Sequence, residues 1–410
     1  MNDLYQNTPL PPRRDPPFLE LGTHQVPKHG HPVCGDAVFS RRLRVSGRTL
    51  CVLADGLGSG VKANVLSTLT GAMALTFVSE DMDIEQAARV IMDTLPVCRE
   101  RGLAYSTFTI LDASPDGRLR VIEHDNPPAL LLRGDGTVAP LRKQPLRVPP
   151  PAAGGGEGCT LLACDVRTSE NDRMILVSDG VTQAGMGRPG TPLGWGLGAL
   201  HTFIRNLLTA VPGMAARDLA RRVVEEAVRR DGGQPRDDTS CAILYVRRPR
   251  RLLVATGPPF ARENDRRLAD SIATFAGEVA ICGGTTAVIA ARELHRPLTA
   301  DLEHLDEDLP PIAIMPGIAL VTEGAITLQR ALDRLEGAGD PATGPVNGVT
   351  RLIGLLLDSD IIEFVVGARV NDAHLDPSAP FELDLRRNIV RRLRHVLETR
   401  HLKETTARYL

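Results

Sequence analysis

Residues 52–67 read VLADGLGSGVKANVLS, and the fold turns on them. The apolar run Leu50-Cys51-Val52-Leu53-Ala54 has the length of a buried strand. It stops at Asp55-Gly56. A carboxylate at the end of a strand is held rigidly, and the glycine after it lets the chain turn and bring its own carbonyl close to whatever the carboxylate binds. Gly58-Ser59-Gly60 then opens a stretch with helical spacing over 61–78. The same device recurs. Gly35-Asp36 precedes an apolar run, Ser178-Asp179-Gly180 follows the run at 174–177, and Asp237-Asp238-Thr239-Ser240 precedes the run at 242–246. Any one Asp-Gly is a turn signal, as at 116–117 and 135–136. A set of acids at strand ends, without His or Cys in the pattern, offers hard oxygen ligands suited to Mg²⁺, Mn²⁺ or Ca²⁺ rather than Zn²⁺.

Around these corners, strands cluster and helices flank them, the pattern of an α+β domain. Further helices are expected over 84–95 (Ile84, Ala87, Ala88, Ile91, Leu95) and 215–228 (Leu219, Val223, Val224, Ala227). Residues 118–138 read as a hairpin: RLRVIE, the turn-prone His124-Asp125-Asn126-Pro127-Pro128, then ALLLR. The stretch 141–158, with Pro149-Pro150-Pro151 and Gly154-Gly155-Gly156, reads as a long mobile loop inside the domain. A border is placed near residue 248, in Arg247-Arg248-Pro249-Arg250-Arg251. Beyond it strands and helices alternate (252–255, 265–275, 279–281, 287–291, 318–322, 326–335, 349–357, 362–366), which predicts an α/β unit with a partly parallel sheet. The last 30 residues read as a helix with Ile389, Val390, Leu393, Val396 and Leu397 on one face. The loops Ala255-Thr256-Gly257-Pro258-Pro259 and Cys282-Gly283-Gly284-Thr285-Thr286 end strands, and at one sheet edge they would line a crevice. The second also reads as a simple tight turn.

Composition bounds the rest. A chain of 410 residues is more than one core is expected to serve, so two domains are expected: 18–247 and 248–410, after an extended proline-rich tail over 1–17. Hydrophobic residues at 42% and charged residues at 24% exclude wholesale disorder. A formal charge of −2 and a single tryptophan, Trp195, leave neither an electrostatic footprint nor stacking platforms for nucleic acid. The uncharged run at 63–79 holds Asn64, Ser67, Thr68, Thr70 and Thr76 and falls short of the roughly 20 apolar residues that span a bilayer, so no membrane partner is expected. Seven cysteines without a CxxC pair fit reduced thiols, and the N-terminal stretch lacks the apolar core of an export signal, so a cytoplasmic location is expected.

In their order and spacing, GDAVFSRRLRV (35–45), VLADGLGSGVKANVLS (52–67), HDNPPALLL (124–132), ILVSDGVTQAG (175–185) and DDTSCAILYV (237–246) resemble the successive motifs of the metal-dependent (PPM-type) serine/threonine protein phosphatases, specifically their SpoIIE-like branch. The resemblance spans roughly residues 20–247. It implies an αββα sandwich with a centre of two Mn²⁺ or Mg²⁺ ions at one end. The family's ligands fall on Asp36, on Asp55 with the Gly56 carbonyl, on Asp179 and on Asp237, with Asp55 bridging and Asp238 supporting. Two divalent ions acidify and orient a water and offset phosphoryl charge. The sequence departs from many eukaryotic members in having Leu57-Gly58 after the Asp-Gly where they carry a histidine. His29, His31 and His124 are expected to be exposed loop residues, and none of Arg13, Arg14, Arg41 and Arg42 is singled out to bind phosphate. In this branch the helix after the bridging Asp belongs to a regulatory element, so a shift of 62–78 is expected to gate metal occupancy through packing at Val65, Leu69 and Met73. The expected partner is a phosphorylated protein of the anti-anti-sigma-factor kind, and a homodimer is left open. A phosphatase-fold scaffold with weak turnover is the alternative, disfavoured because all four ligand positions keep Asp and clustered carboxylates are costly without metal.

Overall fold

The computed structural model of the chain describes residues 16–410 except 83–85, 88–89, 92–93, 95–105, 149–158, 302–311, 338 and 368–378, and not the side chains of 379–384. The chain forms two compact units, Met1–Arg248 and Pro249–Leu410.

The first unit is two antiparallel sheets. One runs β2 (Ala37–Arg42), β3 (Thr49–Gly56), β4 (Ser106–Ala113), β5 (Arg118–His124), β9 (Cys159–Arg167) and β8 (Gln144–Val148) in that spatial order. The other runs β1 (Phe18–Val26), β11 (Thr239–Arg247), β10 (Arg173–Val177), β6 (Leu130–Leu132) and β7 (Val138–Ala139). Alternation along β3 shows how they stack. Cys51 and Leu53 join Leu111, Met174, Leu176, Ala242 and Leu244 in the core between the sheets. Leu50, Val52 and Ala54 point the other way and pack with Ala74, Leu75 and Val78 of helix α1 (Val61–Ser79). On the far side, Ile175, Cys241 and Ile243 pack against helices α2 (Gly196–Ala210) and α3 (Ala216–Arg230) through Leu200, Ile204, Leu219 and Val223. Both faces of each central strand are thus covered, which is why the sequence shows continuous apolar runs. The result is the αββα sandwich.

By length and composition α1 would suffice to cross a membrane, at a mean hydropathy of 1.3. Here Ala63, Ser67, Thr70, Gly71, Ala74, Leu75 and Val78 are buried, whereas Val65 and Leu69 are 58% and 41% exposed, not packed as expected.

Three further expectations fail in this unit. Residues 118–138 are not a hairpin, because β5 pairs with β4 and β9 whereas β6 pairs with β10 and β7 in the other sheet. The segment between them crosses the sandwich, pinned by Glu123 Oε1 accepting from Ala129 N at 2.8 Å. Part of the expected loop over 141–158 is the edge strand β8, paired with β9, and the rest lies outside the described residues. His124 is 5% exposed, its ring tilted against Phe108, whereas His29 is exposed and His31 half-buried. The helix expected over 84–95 falls largely outside the described residues, although Ala87 and Ile91 are helical and buried. Most of the expected tail also lies outside them.

The second unit is a doubly wound sheet. β16 (Leu320–Thr322), β13 (Glu278–Cys282), β12 (Arg251–Thr256), β17 (Ile361–Val366) and β18 (Glu404–Tyr409) are parallel, with β15 (Ala313–Ile314) and β14 (Thr299–Ala300) antiparallel at one edge. Helices α4 (Asp265–Ala273) and α5 (Gly284–Leu294) pack on Leu253, Ala255 and Ile281. Helices α6 (Ala325–Glu336), α7 (Gly348–Asp358) and α8 (Ala379–Arg400) pack on Leu252, Val254, Ile362 and Phe364. Residues 404–409, expected to be helical, form β18, stitched along β17 from Ile361↔Glu404 to Val366↔Tyr409. Residues 284–286 begin α5 rather than forming a tight turn. Gly257, Gly283 and Gly367 each follow a parallel strand at the same edge, and Gly283 has φ 145°, a backbone that a side chain would strain.

Candidate active site

All the acids singled out from the sequence gather at one end of the sandwich. Asp36 precedes β2, whose register with β3 (Ala37↔Ala54) sets it beside Asp55. Asp179 opens a helical turn just after β10, and Asp237 and Asp238 lead into β11, which pairs with β10 at Val177↔Cys241. Asp55, Gly56, Asp179 and Asp237 line a cavity of about 260 Å³ together with Lys28 and Asn126. Asp36 and Asp238 are not in its lining and are each 3% exposed.

The Asp36, Asp238 and Asp179 carboxylates and the Asp55 backbone are fixed by neighbours. Asp36 Oδ2 accepts from Ser240 Oγ at 2.6 Å, and Asp238 Oδ1 accepts from the Lys28 amide at 3.0 Å. Gln183 Nε2 donates to Asp179 Oδ2 at 2.9 Å, and Ser106 Oγ donates to the Asp55 carbonyl at 2.9 Å. Asn126 donates to the Leu53 carbonyl and Thr109 Oγ1 at 3.2 Å and accepts from Thr107 Oγ1 at 2.5 Å, bracing the end of β3. Helix α1 ties itself to the Asp36 segment: Asn64 Nδ2 donates to Cys34 O at 2.8 Å, and Ser67 Oγ to Gly35 O at 2.5 Å. The glycines here are spatially required. A Cβ on Gly56 would lie 2.1 Å from Ala63 O, and one on Gly35 would lie 2.5 Å from Asp238 Oδ2.

The carboxyls disfavour one another's charge. Asp55 is pushed up to about 9 by burial first, then by the charges of Asp36, Asp179 and Asp237. Asp36 is pushed up to about 6, mainly by burial and against the pull of Ser240 and Ser178. Asp179 and Asp237 are also raised, burial leading in both, and Lys28 partly offsets the rise at Asp237. Cys34, nearby, is raised to about 12 by burial and stays a thiol. Among the described residues, no three His, Cys, Asp or Glu side chains close a cage round one point. Two observations nevertheless fit a hard cation: Asp36 Oδ1 and Asp238 Oδ2 are buried oxygens without a donor, and the donor set is all carboxylate and carbonyl.

The sequence left Lys28 and Asn126 unassigned. Asn126 stood inside a turn-prone segment, and its polar side chain among prolines was the available signal; Lys28 carried none. Arg41 and Arg42 lie elsewhere, donating to Ser79 Oγ at 3.0 Å and to the Leu19 carbonyl at 2.9 Å. Arg13 and Arg14 lie outside the described residues.

Two stacked antiparallel sheets between helix layers, with a carboxylate cluster at one end, define the PPM class of metal-dependent phosphatase fold. The family profile of stage II sporulation protein E (SpoIIE) matches residues 46–248. This unit belongs to the SpoIIE-like branch of that class. Among solved structures, the phosphatase domain with a regulatory fragment of SpoIIE from Bacillus subtilis is 18% identical, covering 56% of this chain and 64% of that one, just under two thirds of its length, at a TM-score of 0.44. The RsbU and RsbW domains of a Mycobacterium tuberculosis protein are 17% identical over 63% of this chain and 68% of that one, at a TM-score of 0.45. RsbX in complex with magnesium is 16% identical over 56% of this chain and 95% of that one, at a TM-score of 0.38. No curated protein matches at a significant level.

Proposed function

We propose that the first unit hydrolyses phosphoserine or phosphothreonine on a regulatory protein. The observation that carries this is the convergence of five aspartates from both sheets on one end of the fold, with the carboxyls of Asp36, Asp55, Asp179 and Asp237 held above their ordinary pKa by burial first and then by neighbouring carboxylates. Asp36, Asp55, the Gly56 carbonyl, Asp179 and Asp237 would hold two ions, Mn²⁺ or Mg²⁺, with Asp238 in support. When bound, such ions supply an acidified water and neutralise phosphoryl charge. The chain supplies the rest. Gln183 and Ser240 orient carboxylates, Asn126 fixes the strand that carries Asp55, and Lys28 is a cation at the cavity wall for the phosphoryl oxygens. With Leu57 and Gly58 after the Asp-Gly, protonation of the leaving oxygen is assigned to solvent. Because α1 contacts both the Asp36 and Asp55 segments, a shift of its first turns would alter the ligand set, and Ala63 and Ser67 are the packing positions to perturb.

The proposed substrate is a small phosphoprotein of the anti-anti-sigma-factor kind, an expectation of the SpoIIE-like branch. The second unit is assigned to sensing a ligand or docking that substrate, with the glycine-lined edge of its parallel sheet as the place to look. A weakly catalytic scaffold is the second reading, favoured by the lack of a closed carboxylate cage among the described residues. Hydrolysis of p-nitrophenyl phosphate and a phosphoserine peptide with Mn²⁺, Mg²⁺ or EDTA separates the two. Metal-dependent turnover lost in Asp55→Ala and Asp179→Ala supports the enzyme. Folded protein that neither turns over nor binds Mn²⁺ by calorimetry leaves the scaffold.

A further inference from the structure

Strand β10 has a second end. Six residues before Asp179, or about 20 Å along an extended chain, Arg173 lines a separate cavity of about 440 Å³, together with Arg133, Asp135, Asn171, Arg205 and Tyr245. Arg173 is 4% exposed. Its Nη2 donates to the carbonyls of Pro212 at 2.9 Å and Met214 at 3.2 Å, and its guanidinium stacks 3.6 Å above the Tyr245 ring. Its Nε is buried without a partner, and no carboxylate stands within ion-pair distance of it among the described residues. Glu20, whose charge attracts it from further off, is committed to Arg247 Nε at 2.6 Å and to the Ala216 amide at 3.0 Å.

The other charges do not balance it. Arg133 is paired with Asp172 at 2.6 Å, and the Asp135 carboxylate accepts from Thr137 N and Oγ1 at 2.9 and 2.7 Å. Arg205 packs its stem over the Gly136 turn, and its guanidinium has no partner among the described residues. Three guanidinium groups thus meet two carboxylates around a cavity. A buried cation without a counter-ion is costly, and an anion in the cavity relieves that cost. Planar guanidinium groups match phosphate oxygens in pairs.

We propose that this cavity is a second anion site, distinct from the aspartate cluster, which takes the phosphate group of a small molecule or of a phosphorylated side chain. The test uses the full chain in EDTA, where the metal-free aspartate cluster repels phosphate and so cannot mimic the effect. Inorganic phosphate and a phosphoserine peptide are titrated by calorimetry into wild type, Arg205→Ala and Arg173→Gln. Saturable binding weakened at least about tenfold in Arg205→Ala, with the metal-loaded variant still hydrolysing p-nitrophenyl phosphate at the wild-type rate, is the expected result. Arg205 is exposed, so this arm survives if Arg173→Gln does not fold. A peptide that binds more tightly than inorganic phosphate assigns the site to a phosphoprotein; equal affinities assign it to small phosphates. No saturable binding to folded wild type, or binding unchanged in Arg205→Ala and in folded Arg173→Gln, overturns the proposal.

Discussion

Strand β10 begins at a buried arginine and runs out into a nest of aspartates, and the two ends handle buried charge differently. Arg173 is tied down by two carbonyls and a tyrosine ring, so most of its guanidinium is structurally employed. The acidic end is more exposed to its own repulsion: Asp55, Asp125, Asp179 and Asp237 line the cavity with Lys28, and behind them one buried oxygen each of Asp36 and Asp238 accepts nothing. Charge that serves the fold is satisfied by the fold, whereas charge kept for a ligand is left wanting one. The arginine end is a mixture of the two, with one guanidinium anchored and another loose.

The largest effect that would break this contrast comes from Asp55. Asp55→Asn is expected to remove metal-dependent turnover of p-nitrophenyl phosphate by about a thousandfold or more. It should also raise the melting temperature of the metal-free protein at pH 8, because it removes the carboxyl that is ionised in the unfolded chain and must take up a proton when buried. A variant that melts lower in EDTA would show that the cluster is structurally paired after all.

Next comes pH. A carboxyl whose folded pKa is raised contributes stability at low pH and loses it as pH rises through the folded value. With Asp36 raised from 3.8 to about 6 and Asp55 from 3.8 to about 9, the metal-free protein is expected to lose melting temperature from about pH 4 upward, the Asp36 share ending near pH 6 and the Asp55 share continuing to about pH 9. The gap between Mn²⁺-loaded and EDTA-treated protein should widen from pH 5.5 to 9 in scanning calorimetry. A gap that narrows over that interval would contradict the sign.

Smaller effects sharpen the geometry. Gly56→Ala sets a Cβ against Ala63 O and should destabilise the unit by about 1–3 kcal/mol, weakening Mn²⁺ affinity measured by calorimetry. Unchanged Mn²⁺ affinity would detach α1 from the site. Lys28→Ala should raise KM for a phosphopeptide several-fold, to about tenfold at most, with a smaller change in kcat. The reverse split would place Lys28 in the chemistry rather than in binding.

Much of the acidic end was legible because its signals are local. An apolar run that stops at Asp-Gly, as at Asp55 and Asp179, says where a carboxylate is anchored, and Asp36 and Asp237 at the heads of two more apolar runs complete the pattern. Pairing partners were less legible. Residues 126–128 announce that the chain breaks direction after β5, but their composition is the same whether β6 returns to the same sheet or crosses to the other. β18 follows a long helix, and its Thr-Thr-Ala-Arg-Tyr text is strand-prone but short, so helical continuity masked it. Arg173 heads an apolar run as an ordinary strand-flanking arginine would, and only burial distinguishes it.

Phe18 and Arg247 are partners on the first rung of the β1–β11 ladder. The point where the first unit's chain enters its sheet is therefore beside the point where it leaves. A module whose entry and exit are neighbours can be spliced into another protein with little linker, or have its ends joined and be reopened elsewhere. The same rung closes a loop of more than 200 residues, a non-local pairing of the kind that slows folding. Portability between architectures and slow self-assembly are here two readings of one strand pair.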